Sequence, residues 1–117
     1  MSYPSNKAAA AASPAFAAAS RRTNTSGYLA ITDDVVLVDA SSGPVTITLP
    51  RAAASYNNGV GSIFTLKKVD ASINGATLSA QTGEMIDGYP SADVMSQFET
   101  VTVQSNGNSY DVLFRSY

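Results

Sequence analysis

The chain has 117 residues, seven basic and nine acidic side chains, and neither cysteine nor histidine. That length limits it to one domain. The composition excludes disulfides, thiolate metal sites, catalytic triads and imidazole proton relays.

Charge is uneven along the chain. Residues 1–27 carry Lys7, Arg21 and Arg22 and no acid, whereas residues 28–117 carry four basic residues against nine acids, a balance of −5. A basic arm on an acidic body fits an arm that docks on an acidic surface. An acidic body is a poor phosphate binder, so nucleic acid is not expected as a partner.

Residues 1–27 are alanine-rich, broken by Pro4 and Pro14. Lys7–Ser13 and Ala15–Arg22 have helix-forming composition, but isolated helices this short are marginal in water. Alanine buries too little surface to hold a core, so this arm is expected to be ordered only by neighbours. It lacks the Leu/Ile/Val run of a signal peptide, and its basic pair follows rather than precedes the alanines. No segment is long and apolar enough to span a bilayer.

From residue 28 onward the signals are those of short strands. Tyr28–Ile31 is a short candidate, followed by a turn at Thr32–Asp34. Asp34–Val38 is nearly all branched and apolar, the pattern of a strand buried on both faces or paired against another chain. Ser41–Pro44 is a turn cluster, and Val45–Leu49 alternates apolar and hydroxyl residues up to Pro50, which cannot donate to a ladder. These two runs are expected to form the central pair on which the other strands are laid.

Arg51–Gly61 reads as a loop. Its Gly59-Val60-Gly61 lacks the third glycine, lysine and helix of a phosphate-cradling loop. Ser62–Asp70 reads as a strand with Phe64 and Leu66 on one face, and Lys67-Lys68 as charges guarding its end against edge pairing. Asn74-Gly75 predicts a hairpin returning through Ala76–Ala80. Ile86 is the inward anchor of Glu84–Gly88, and Tyr89–Asp93 is a break. Glu99–Gln104 and Ser109–Phe114 flank an Asn-Gly turn and predict a hairpin. The expectation is an all-β fold: an arm over 1–27 and, over 28–117, a small antiparallel β-sandwich or barrel of about seven short strands.

The blocks DDVVLVDASSGPVTITLP, IFTLKKVD, EMIDG and FETVTVQSNGNSYDVL, in this order, resemble a recurring β module of bacteriophage virion appendages, found in tail fibres, tail spikes and capsid-surface fibres. The similarity spans roughly Asp33 to Phe114. It implies a trimeric virion protein, made in the host cytoplasm and carried on the particle surface. Tail fibres of the family are usually long, with a shaft. A short arm ahead of a compact head is expected instead of a capsid decoration (cement) or head-fibre protein, docked on the major capsid protein or another virion protein. The alternative is a tail-associated module that recognises host glycan.

The arm residues expected to anchor it are Tyr3, Phe16, Arg21 and Arg22, and Tyr56, Tyr89 and Tyr117 are the candidates for stacking on sugars. Catalysis is not expected. The carboxylates Asp33, Asp34, Asp87, Asp93 and Glu99 each fit a turn or strand start rather than a glycosidase pair. Asp33-Asp34 alone supplies too few oxygens for calcium. No metal, cofactor or membrane contact is expected.

Overall fold

The computed structural model describes residues 20–31 and 33–116. Tyr3, Phe16, Tyr117, the Thr32 turn position and the helix-forming stretch up to residue 19 lie outside them. The described chain is all-β, with eleven strands and a single 3-10 turn at Ala52–Ser55.

Strands alternate between two sheets as the chain advances. The first sheet takes β1 (Ser20–Thr23), β3 (Val35–Val38) and β7 (Ile63–Lys68), all parallel. The second takes β2 (Gly27–Tyr28), β4 (Val45–Thr48) and β8 (Ala76–Ser79), also parallel. Each pass round the molecule thus leaves one strand in each sheet, and three passes stack in register as a short two-sided β-solenoid. The chain then reverses. Strand β9 (Ser91–Val94) runs antiparallel to β8, and β10 (Thr100–Ser105) and β11 (Tyr110–Ser116) continue the first sheet antiparallel beyond β7. The two-residue strands β5 (Tyr56–Asn57) and β6 (Val60–Gly61) form a side hairpin whose turn places Asn58 and Gly59 at φ 53° and 81°.

The two-layered, all-β architecture is the expected one, but its pairing is mixed rather than wholly antiparallel. Strands β3 and β4 do not pair with each other. Ser41–Pro44 does turn, with the Gly43 amide donating to the Ala40 carbonyl at 3.1 Å, yet it carries the chain round a corner from one sheet to the other. The same holds at Asn74-Gly75, where β7 and β8 lie in different sheets. Turn chemistry reports that the chain bends and not which sheet it rejoins. The predicted terminal hairpin is present as β10–β11, with a bulge between Thr102 and Val103. Residues 84–88 form a corner rather than a strand, with Ile86 buried and bridged to Tyr89 and Tyr110. Four strands lie where none is expected: the short β5 and β6, inside the stretch read as a loop, β9, at the stretch read as a break, and β1, in the stretch read as arm and as helix-forming. Among the described residues the sheets begin at Ser20.

One core lies between the sheets. Period-two alternation turns Val36 and Val38, Val45 and Ile47, Phe64 and Leu66, Leu78, and Val101 and Val103 inward, all essentially inaccessible. Tyr110 closes one end. Its ring lies 6.2 Å from that of Phe64, and its hydroxyl donates to the Pro50 carbonyl at 2.9 Å. Burial pushes the Tyr110 phenol pKa up, so the group stays protonated and remains a donor.

The opposite end is held by charge. Lys68 continues the inward series Phe64, Leu66 and is fully buried; it does not guard an edge. Its Nζ donates to Asp70 Oδ2 at 2.7 Å, to the Asp70 carbonyl at 2.9 Å and to the Ser72 carbonyl at 2.8 Å. Asp70 in turn accepts from the amides of Ala40 (2.7 Å) and Ser72 (3.0 Å) and from the Ser72 hydroxyl. Asn74 Nδ2 and Ser72 Oγ both donate to the Ala40 carbonyl. All three donor positions of the ammonium are therefore satisfied, and the corner after β7 is tied to the corner after β3.

Candidate docking surface

A solenoid buries the faces of its inner coils against neighbouring coils, so its ends need covering. Beyond the third pass, β9 and the β10–β11 hairpin continue the two sheets antiparallel, and β9 and β11 are their outer strands. At the other end, β1 and β2 each pair on one side only among the described residues, leaving a row of backbone donors and acceptors on each sheet.

The sequence of β1, Ser-Arg-Arg-Thr, explains how this end avoids indiscriminate pairing. Its register sets Arg21 beside Val36 and Arg22 beside Leu37, so Arg21 turns inward and Arg22 outward. Arg21 Nε donates to Asp33 Oδ2 at 3.1 Å and its Nη2 to the Tyr28 carbonyl at 3.1 Å. Asp33 also accepts from the Ala30 amide at 3.1 Å, so one carboxylate fastens β1 to the corner after β2. An inward charge on an edge strand is a common device against edge-to-edge aggregation. Such a half-exposed ion pair contributes about 1 kcal/mol at most.

Arg22 is different. It is exposed, and with Thr23, Asn24, Leu37 and Asp39 it lines a shallow cleft of about 280 Å³ beside the open edge of β1. Hydrogen bonds from the side chain and amide of Ser41 hold the Asp39 carboxyl below its usual range, so the cleft presents a guanidinium, a carboxylate and an amide side chain over an apolar floor.

The other singled-out residues do not converge. Tyr56 stands partly exposed on the side hairpin, next to Gly107, while Tyr89 is exposed at the 84–90 corner. Among the described residues the one aromatic ring pair is Phe64–Tyr110, in the core. The carboxylates serve structure: Asp87 accepts from the Val112 amide at 3.0 Å, Asp93 from Thr77 at 2.9 Å, and Glu99 from the amides of Met95 and Ser96 at 2.9 and 3.0 Å while pairing with Arg115 at 3.5 Å. The Asp34 carbonyl accepts from the Thr65 amide at 2.8 Å. No group of three or more potential metal ligands occurs among the described residues. Comparison with known proteins finds no matching family model and no matching curated sequence. Among the described residues, no helix is long and apolar enough to cross a membrane.

Sequence reasoning missed two features here. Strand β1 carries no apolar residue to mark an inward face, so its four polar residues gave no period to read. The Lys68–Asp70 contact was accessible, because extending Phe64 and Leu66 by two places the lysine inside.

Proposed function

We propose that this chain is a structural protein of a bacteriophage virion, a capsid decoration or head-fibre protein whose β body self-assembles, as a trimer, and whose N-terminal arm docks on the particle. The observation that carries this reading is the open end of the solenoid. Residues 1–19 precede Ser20, the first residue of the edge strand β1, which among the described residues pairs with β3 alone. An alanine-rich segment with Lys7 as its one charged side chain, attached to an open edge, suits a role in continuing that edge along a neighbouring surface, with backbone hydrogen bonds supplying affinity. The virion resemblance supports the same reading. Its four blocks correspond to β3–β4, β7 with its buried lysine, the 84–88 corner and the β10–β11 hairpin. They coincide with the core, so a shared core pattern accounts for them.

The alternative, a tail-associated glycan-binding module, rests on the exposed rings of Tyr56, on the side hairpin, and Tyr89, at the 84–90 corner. Arg21 is engaged by Asp33 and the Tyr28 carbonyl, which favours Arg22 as the anchoring arginine of this reading.

The test is occupancy on purified particles that carry this chain, measured by electron cryomicroscopy. Arg22→Ala and deletion of residues 1–19 are expected to reduce occupancy, the deletion to near zero. Full occupancy by the shortened chain would refute arm docking. A chain that never copurifies with particles would refute the virion role.

A further inference from the structure

Asparagine followed by glycine has a chemistry of its own. The backbone nitrogen of the glycine can attack the side-chain amide carbon of the asparagine, and glycine has no side chain to shield that nitrogen. The chain holds three such pairs, at residues 58–59, 74–75 and 106–107. As dipeptides they are alike. The fold makes them unequal.

Two of the pairs are tied down. Asn106 Oδ1 accepts from the amides of Asn108 and Ser109 at 3.0 and 2.9 Å, and its Nδ2 donates to the Asp111 carboxylate at 3.2 Å. The Gly107 amide, the group that would attack, donates to Ser105 Oγ at 3.1 Å, and the Tyr56 ring lies 3.1 Å from the Gly107 Cβ position. Asn74 belongs to the Lys68–Asp70 corner. Its Nδ2 donates to the Ala40 carbonyl at 2.8 Å and its amide to Ser72 Oγ at 3.3 Å, while the Gly75 carbonyl accepts from the Val45 amide at 3.1 Å. Met95 Sδ crowds the Gly75 Cβ position at 2.7 Å. Cyclisation at either site must first break several bonds.

Asn58 has none of these restraints. It is exposed, with no side-chain hydrogen bond, and its neighbours Asn57, Gly59 and Val60 are exposed too. Nothing lies within 4 Å of the Gly59 Cβ position. The pair is the two-residue turn between β5 and β6, which pair over two residues each and have no third strand. So short a ladder is marginal, and opening its tip costs little. Once the tip opens, rotation about the Asn58 Cα–C bond brings the Gly59 nitrogen onto Asn58 Cγ.

We infer that Asn58 is a site of spontaneous deamidation, and that Asn74 and Asn106 are protected by the fold. The Gly59 nitrogen forms a bond to Asn58 Cγ and loses its proton, and the side-chain nitrogen leaves as ammonia. The five-membered succinimide then takes up one water at either carbonyl. Opening at one gives aspartate; opening at the other gives isoaspartate, with the main chain routed through the side-chain carbon. Each product adds one carboxylate to a body that is already net acidic. Isoaspartate also lengthens the main chain inside the turn that sets the register of β5 on β6, so the Asn57–Val60 pair has to be rebuilt.

The test is peptide mass spectrometry on the folded full-length chain, sampled during incubation in warm, mildly alkaline buffer. Trypsin separates the sites: Asn57 and Asn58 fall in fragment 52–67, Asn74 and Asn106 in fragment 69–115. Fragment 52–67 is expected to gain the mass of an amide turned carboxylate roughly tenfold faster or more than either site of 69–115, with fragmentation placing the gain at Asn58. In guanidinium the three pairs are expected to react at comparable rates. Asn58→Asp, which keeps a pair suited to the turn, is expected to remove the gain from fragment 52–67. Three results would overturn the inference: a folded chain that reacts as fast at Asn74 or Asn106, a fragment 52–67 that changes only in guanidinium, or a preference for Asn58 that guanidinium leaves intact.

Discussion

Replacing Lys68 with methionine is expected to destabilise the fold by about 3–5 kcal/mol, the usual consequence of removing one partner of a buried pair. The variant leaves Asp70 charged, 8 % exposed and without its ammonium, and frees the two carbonyls that Lys68 had bound. Adding Asp70→Asn is expected to recover part of the loss, because the uncompensated charge goes. Urea denaturation of the two variants and the wild type measures both effects; a Lys68→Met midpoint equal to the wild type would contradict the role given to this cluster. The pH dependence follows from the carboxylate. Burial acts to raise the Asp70 pKa, but hydrogen bonds from Lys68, Ser72 and the Ala40 and Ser72 amides outweigh it and hold the group far below its ordinary value of 3.8. A depressed folded pKa means that protons bind the unfolded chain more readily. The stabilisation is therefore complete above about pH 4 and is lost progressively as pH falls below it. Asp70→Asn removes this share of the acid sensitivity.

Gly61→Ala is expected to be comparably damaging, for a steric reason. A Cβ on Gly61 would lie 1.8 Å from the Ser105 carbonyl oxygen and 2.8 Å from its carbon, both backbone atoms of β10. Neither can swing aside as a side chain would. The same junction holds the Ser105 amide to the Ser62 carbonyl at 3.0 Å, Gln104 Nε2 to the Gly61 carbonyl at 3.1 Å, and the buried Ser105 hydroxyl to the Ala52 carbonyl at 2.6 Å. Relieving the clash pulls the side hairpin off β10 and breaks these bonds together, at a cost of about 3 kcal/mol or more. Gly27→Ala is the control, since nothing lies within 4 Å of its Cβ position. Thermal melts that lower both variants equally would contradict the account.

The sequence made the inward faces readable because period two holds wherever a strand is buried on one side: Val45, Ile47, Phe64, Leu66, Val101 and Val103 all lie where alternation put them. The β10–β11 hairpin was readable for the same reason, with Asn106-Gly107 marking its turn. Pairing direction was not readable. Ser41–Pro44 and Asn74-Gly75 are chemically sound turns, and a corner between sheets needs the same residues as a hairpin within one. Strand β1 was hidden because an edge strand protected by Arg21 must be polar on the side where apolar residues would announce it. The apolar part of the outer face of the first sheet was half visible, in that Val35–Val38 has no polar side, but its continuation through Ile63 and Phe114 depends on which strands neighbour β3. That is a fact of topology. The proposed docking end likewise emerges from strand order and not from a motif.

Alternate winding produces the open end at β1. Nuclear Overhauser contacts in the uniformly labelled full-length chain test it directly. The structure predicts parallel cross-strand contacts between Val36 and Leu66 and between Ile47 and Leu78, with no ladder joining β3 to β4. An antiparallel ladder between Val35–Val38 and Val45–Thr48 would contradict the winding, and with it the docking end.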